Sequence, residues 1–287
     1  MKLSEAFDTY GKYMVLKGQS RRTIEHNDYV KRMMIEVLGD ISLRKLTIAD
    51  VYKWKKSMTI GKLPNGKKIK RADNSLRCDL LRLRVMLKYM GTIGEKCLDY
   101  NLVPIPKRID IERTFLYENE VSDMIEAAFS VRNKFVISLL YSSGIRLSEF
   151  ISLDRNSIQH RCFNVVGKGG KLRLCFIDKR TEELMNEYLA TRTDNCPALV
   201  VSNLYKQRMS ASNVQLLVRN SAKRAGIDKV VTPHVFRHSF ATNFIANNGG
   251  IKPLSALLGH KSLDTTSIYT HLVDNELAQQ YERFHSF

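Results

Sequence analysis

The sequence predicts a mainly α-helical protein with one small β-sheet, arranged as two domains. Three observations carry that expectation. Apolar residues recur at helical spacing along most of the chain. Two short β-like runs flank a glycine-lysine turn, and a proline-bearing stretch near residue 104 interrupts the helical pattern. At 287 residues, two domains are also the natural division.

Taken in order, Leu3, Phe7, Tyr10 and Met14 fall on one face and predict a first helix. Thr23 to Leu38 predicts a second. Thr47 is a suitable N-cap for a third, with Asp50 at the third helical position completing a cap-like start. Asn74 to Met90 predicts a fourth, in which Leu76, Leu80, Leu83 and Leu87 are spaced for burial and arginines lie between them. Between these two helices lies GKLPNGKKIKRAD, whose Asn65-Gly66 pair signals a hairpin-type turn. The stretch Asn101 to Phe115 holds Pro104 and Pro106 and reads as an extended linker, because proline disfavours helix at the residue before it. The expected division is therefore a helical bundle over 1–100, a linker over 101–115 and a second domain over 116–287.

In that second domain, Glu118 to Phe129 and Arg132 to Tyr141 predict helices, Gly144 ends the pattern, and a new helical start follows at Arg146. Cys162 to Val166 and Leu172 to Ile177, joined by GKGGK, predict a hairpin. Helices are expected to resume from Thr181, Ala211, Thr232, Lys252 and Leu263. In the last stretch, Leu277, Tyr281 and Phe284 fall at i, i+4 and i+7. A helix that short is marginal alone, so its apolar stripe must dock on something.

Charge narrows the class. Lys and Arg number 46 against 29 Asp and Glu, a formal net charge of +17, while 44% of residues are hydrophobic, so the chain is basic and globular rather than a disordered basic tail. Residues 1–110 hold 24 basic and 12 acidic residues, a net of +12, against +5 for the remainder. Lys53, Lys55, Lys56, the run from Lys62 to Arg71, Arg77, Arg82, Arg84 and Lys88 spread this excess over a whole domain, as a module that grips a phosphate backbone requires. The longest strongly apolar run, Phe135 to Tyr141, falls far short of the roughly 20 residues that span a bilayer. MKLSEAFDTY has an acidic residue where a signal peptide would be apolar, and the five cysteines are scattered with no CxxC spacing. Together these features predict a cytoplasmic protein with reduced thiols.

Four segments hold chemistry-bearing residues: SGIRLSE (143–149), GKGGKLR (167–173), HVFRHSFAT (234–242) and LLGHKSLDTTSIYTH (257–271). Singly, each is weak. His234 and His238 are four apart on a helix, but a zinc-protease helix needs Glu directly after the first His, and Val235 stands there. There is no GxxxxGK[ST] loop, no paired-carboxylate metal set and no dinucleotide turn, so no metal and no cofactor is expected.

In this order, however, the ordered set Arg, Lys, His-x-x-Arg, Gly-His, Tyr resembles the tyrosine recombinase, or phage integrase, family. The resemblance covers the whole chain, and the size is most similar to the Xer branch, whose members resolve chromosome dimers. It implies a two-domain DNA clamp: a SAM-like core-binding bundle followed by an α+β catalytic domain. The basic segment Gly61 to Arg71 is longer than the family pattern. The resemblance further implies that Tyr269 is the nucleophile, forming a 3′-phosphotyrosyl link and releasing a 5′-hydroxyl. A phenol suits that task, because phenolate is both a competent nucleophile and a good leaving group. Arg146 and Arg237 match the two arginines that hold the scissile phosphate, where planar forks serve better than lysine. His260 matches the position bonded to the same phosphate, and His234 the one assisting proton transfer at the phenol. Lys168 matches the general acid for the departing 5′-oxygen, with Lys171 as its rival on the same hairpin. Glu149 matches an acidic support that orients Arg146 or a histidine, while His238 and His271 are expected to pack or touch DNA. The implied partners are a double-stranded DNA recombination site, a homo-tetramer around a Holliday junction, and a possible paralogue or DNA translocase, with no membrane. The tail stripe would dock on a neighbouring protomer or on its own domain. The alternatives are an integrase or excisionase of a virus or plasmid, and a type IB topoisomerase that shares the chemistry.

Overall fold

The structure is a computed structural model that describes residues 1–61, 66, 71–109, 114–167, 170 and 172–259. The chain divides into two compact units, Met1–Ile111 and Glu112–Phe287. The Asn65-Gly66 turn, the helix expected from Leu263 and the tail stripe at Leu277, Tyr281 and Phe284 lie wholly or partly outside the described residues. Among the described residues, no helix is long and apolar enough to cross a membrane.

Among the described residues, the first unit is a bundle of four helices, α1 (Leu3–Leu16), α2 (Arg21–Leu38), α3 (Ile48–Ile60) and α4 (Asp73–Thr92). Helix α1 buries Leu3, Phe7, Tyr10 and Met14, the face its spacing predicts. Helix α2 begins two residues before Thr23, because the Ser20 side chain accepts from the Thr23 amide and acts as N-cap. Helix α3 opens on a capping box: Asp50 N–H donates to Thr47 Oγ1 at 3.3 Å, and Thr47 N–H donates back to Asp50 Oδ2 at 2.9 Å. Trp54, Leu80, Leu83 and Met86 are fully buried at the centre. The stretch read as a linker is held to this unit as far as residue 109. Val103 joins the core, Arg77 Nε donates to the Pro106 carbonyl at 3.0 Å, and Asn74 exchanges two hydrogen bonds with Ile109.

One charged residue breaks the apolar face of α4. Asp79 is fully buried; Arg71 grips it with Nε to Oδ2 at 2.9 Å and Nη2 to Oδ1 at 2.8 Å, and His26 Nε2 meets Oδ1 at 2.7 Å. Burial would raise this carboxyl, but the His26 and Arg71 contacts outweigh it and hold it below its ordinary value. The Arg71 guanidinium also lies over the Tyr29 ring, 4.6 Å from its centroid. Asp79→Ala strands these partners and is expected to cost about 3–5 kcal/mol. Trp54 is the chain's one tryptophan and is buried in this unit, so denaturant unfolding followed by its fluorescence measures that loss.

The second unit is built around α6 (Val131–Ser143), which follows α5 (Glu118–Glu126) and is buried nearly all round through Phe135, Val136, Ile137, Leu139 and Leu140. Around it lie α7 (Leu147–Ser152), α8 (Lys179–Ala190), α9 (Ala211–Arg224), α10 (Pro233–Ala246) and α11 (Ile251–Leu258). Among the described residues the sheet is two antiparallel strands, β1 (Cys162–Val166) and β2 (Leu172–Phe176), with Val166 opposite Leu172 and Cys162 opposite Phe176. Helix α5 stops three residues short of Phe129, because Ser130 begins a new helix by accepting from the Asn133 amide. Phe129 is left 84% exposed beneath the Arg224 guanidinium.

Candidate active site

The site's frame begins at the elbow between α6 and α7. Gly144 ends α6 in the left-handed region at φ 58°, and a Cβ there would lie 2.5 Å from Phe240 Cδ1, so only glycine fits the turn. Two residues on, Arg146 is the N-cap of α7 and leaves its side chain 30% exposed. Glu149, at the third position of α7, reaches back: Arg146 N–H donates to Oε2 at 2.7 Å and Arg146 Nη1 to Oε1 at 2.9 Å. Arg146 is one of the partners the sequence offers Glu149, and the structure forms that contact.

A second partner of Glu149 lies outside its local sequence pattern. Arg173, on β2, sends Nη1 to Oε1 at 2.7 Å and Nη2 to Oε2 at 2.8 Å, a bidentate pair. Both side chains are buried, at 7% and 5% exposure. Burial pushes the Glu149 carboxyl up, but the Arg173 fork, the Arg146 amide and the Arg146 guanidinium outweigh it and hold it at about 2. A carboxyl lowered on folding stabilises fully above its ordinary value near 4.5, and that stability is lost as pH falls toward about 2. Glu149→Gln cannot titrate, so its acid unfolding is expected to lose a pH-dependent component of ~3 kcal/mol across that window. Circular dichroism of the two proteins as a function of pH measures the difference.

Helix α10 supplies the next side chains. Thr232 caps it, accepting from Val235 N–H, and Pro233 fits its first position, where a missing amide costs nothing. His234 stands exposed in the first turn, and Arg237 follows one turn later, half-buried. Arg237 donates Nη1 to the Gly144 carbonyl at 2.7 Å and Nη2 to the Leu258 carbonyl at 2.6 Å. It therefore ties the elbow that carries Arg146 to the end of α11. His238 packs edge-on against Phe115, with ring centroids 6.5 Å apart.

The end of α11 gathers two of these guanidiniums. Arg173 Nε donates to the Leu257 carbonyl at 2.8 Å, beside Arg237 at Leu258. Both satisfy carbonyls that a helix C-terminus leaves open, and both place positive charge at the negative end of its dipole. Gly259 ends the helix at φ 63°, and a Cβ there would meet Arg173 Cδ at 2.8 Å. Cys175 lies buried beside this cluster; burial pushes its thiol up against the opposing Arg173 charge, which keeps it neutral.

Arg146, Glu149 and Arg237 are thus brought into one bonded frame, with His234 on the same helix as Arg237. Lys168, Lys171, His260, Tyr269 and His271 lie outside the described residues. Lys168 belongs by sequence to the connection between β1 and β2, and His260 directly follows Gly259. Among the described residues, no group of three or more His, Cys, Asp or Glu side chains is placed to hold a metal ion.

Comparison with known proteins follows the same lines. Residues 114–276 match the phage integrase family. The chain is 34% identical to tyrosine recombinase XerC of Histophilus somni over 82% of this chain and 84% of that one. It is 31% identical to tyrosine recombinase XerA of Pyrococcus horikoshii over 98% and 93%. Among solved structures, a lambda integrase tetramer bound to a Holliday junction is similar in fold, with a TM-score of 0.74 at 17% identity over 91% of this chain and 78% of that one.

Proposed function

The chain belongs to the phage integrase family and is an Xer-type, site-specific tyrosine recombinase, and on that premise we propose how its residues divide the work. Arg146 and Arg237 hold the non-bridging oxygens of the scissile phosphate. Tyr269 attacks phosphorus through its phenolic oxygen, with His234 assisting removal of the phenol proton. The bond from phosphorus to the 5′-oxygen breaks, and Lys168 protonates that oxygen as it leaves. His260 donates to the same phosphate. The product is a 3′-phosphotyrosyl link and a free 5′-hydroxyl. The 5′-hydroxyl of the partner strand then reverses the sequence, giving back its proton and rejoining the DNA. The link conserves the energy of the broken bond, so neither ATP nor a metal ion has a task to perform.

The observation that carries this reading is the pair of bonds made by Arg237. One goes to Gly144, in the elbow that presents Arg146, and the other to Leu258, two residues before His260. A five-coordinate phosphorane gains negative charge, and guanidiniums fixed before the reaction stabilise it without reorganising. In our reading the net +12 of residues 1–110 grips double-stranded DNA, four copies assemble on a Holliday junction as lambda integrase does, and the cytoplasmic role is Xer-like resolution of chromosome dimers. A paralogue or a DNA translocase would fit beside it.

The test is covalent capture. The chain is incubated with nicked duplexes of randomised core sequence, and DNA that partitions with protein into phenol is sequenced. A tyrosine recombinase enriches one short site of two inverted arms. Capture without enrichment, together with relaxation of supercoiled plasmid by dilute monomer, would overturn the reading in favour of a topoisomerase. No capture from any sequence would overturn it in favour of a DNA-binding regulator.

A further inference from the structure

We infer that Arg173 is a positioning residue for strand cleavage, holding Glu149, and through it Arg146, in register with the end of α11; this rests on the recombinase reading above. Arg173 is 7% exposed, so its charge is not presented to DNA. All three of its guanidinium nitrogens are engaged. Two grip Glu149 on α7, and the third binds the Leu257 carbonyl at the end of α11. One side chain on a short hairpin therefore connects three separate elements.

The consequence for Arg146 follows from how Glu149 is shared. The Arg146 guanidinium meets the carboxylate through Nη1 alone, at Oε1, which also receives Arg173 Nη1. Arg146 is 30% exposed, and among the described residues its head group bonds to this carboxylate alone. Without Arg173, Glu149 would be free to turn toward Arg146 and draw it into a bidentate pair, competing with a phosphate for the same nitrogens. With Arg173, both carboxylate oxygens are already committed, and the Arg146 fork retains nitrogens to offer an anion.

The third bond sets the other side of the site. Arg173 at Leu257 and Arg237 at Leu258 bind consecutive carbonyls, so both guanidiniums are referenced to one helix end. Gly259 fits this arrangement, since the space its side chain would fill is taken by Arg173 Cδ at 2.8 Å. A lysine at position 173 keeps the charge but, as a point charge on a flexible stem, cannot hold Glu149 and Leu257 together.

The test uses the full chain, a nicked duplex on which it forms its covalent adduct, and single-turnover cleavage at saturating DNA. Arg173→Lys is expected to slow adduct formation about 10- to 100-fold, as for a reacting group displaced by about 1 Å. Affinity for the duplex should stay within about threefold, because the side chain does not reach DNA. In a double-mutant cycle with Glu149→Gln, the two losses should be far from additive, since Arg173 acts through Glu149. A purely architectural role would lower thermal stability and leave the rate constant of the bound, folded enzyme unchanged; that result overturns the proposal, as does a loss confined to affinity. If Arg173→Lys does not fold, Arg173→Gln paired with Glu149→Gln removes both buried charges together. The same slowing is expected there, and a wild-type rate overturns the proposal. Failure of the underlying recombinase reading is separately visible, because the wild-type chain would then form no adduct.

Discussion

Tyr269→Phe is expected to bind duplex DNA as the wild-type chain does and to form no covalent adduct with it. The substitution removes a single oxygen atom and leaves the ring. The net +12 of residues 1–110, to which the proposal assigns the sequence-independent attraction to phosphate, is unaltered. In the proposed reaction it removes the group that temporarily owns the phosphate. Deleting a covalent nucleophile typically costs on the order of 10⁴-fold or more, because the remaining machinery has nothing to act with. The measurement is single-turnover reaction with a nicked duplex, read on a denaturing gel beside a binding titration. An adduct that persists in Tyr269→Phe would show that another residue attacks.

Arg237→Lys is expected to have the next largest effect, lowering the cleavage rate by about 10²- to 10³-fold with a much smaller change in DNA affinity. The reason lies in its geometry. Its two terminal nitrogens are spread between the carbonyls of Gly144 and Leu258, 2.7 and 2.6 Å away. Lysine offers one nitrogen and cannot span both. The variant should therefore loosen the elbow that presents Arg146 as well as lose the fork at the phosphate. Single-turnover rates at saturating DNA separate these losses from weaker binding. A rate within about threefold of wild type would contradict the role given to Arg237.

Much of this frame is legible in local sequence, and the rest fails to show for identifiable reasons. The α3 cap is a four-residue signal, Thr47 to Asp50, and the structure forms it as a reciprocal pair of bonds. The face of α4 is equally local, since Leu76, Leu80, Leu83 and Leu87 repeat at helical spacing. Asp79 sits within that same stripe, and a carboxylate on an apolar face requires a buried partner, but nothing local names Arg71 and His26 as that partner.

Arg173 is hidden for a different reason. In β2 the apolar residues Leu172, Leu174 and Phe176 face outward at 70%, 45% and 49% exposure, while Arg173 and Cys175 face inward. Read by apolarity alone, the alternation gives the opposite face. The inversion stands because Glu149, 24 residues away in sequence, neutralises the buried guanidinium. Helix α11 illustrates the same limit. Its start is legible to within one residue, but the two arginines at its C-terminus come from elements 21 and 84 residues away. Local pattern finds elements, caps and the short-range pairing of Glu149 with Arg146, whereas the bonds that tie this pair to Arg237 are made across the fold.

The most direct test of the central claim is to identify the atom that holds the DNA. The trapped adduct is digested with nuclease and protease, and the peptide bearing the nucleotide remnant is sequenced by mass spectrometry. The remnant is predicted to be a 3′-phosphate esterified to Tyr269, in the segment SLDTTSIYTH. A remnant linked through a 5′-phosphate, or carried by any other residue, would contradict it.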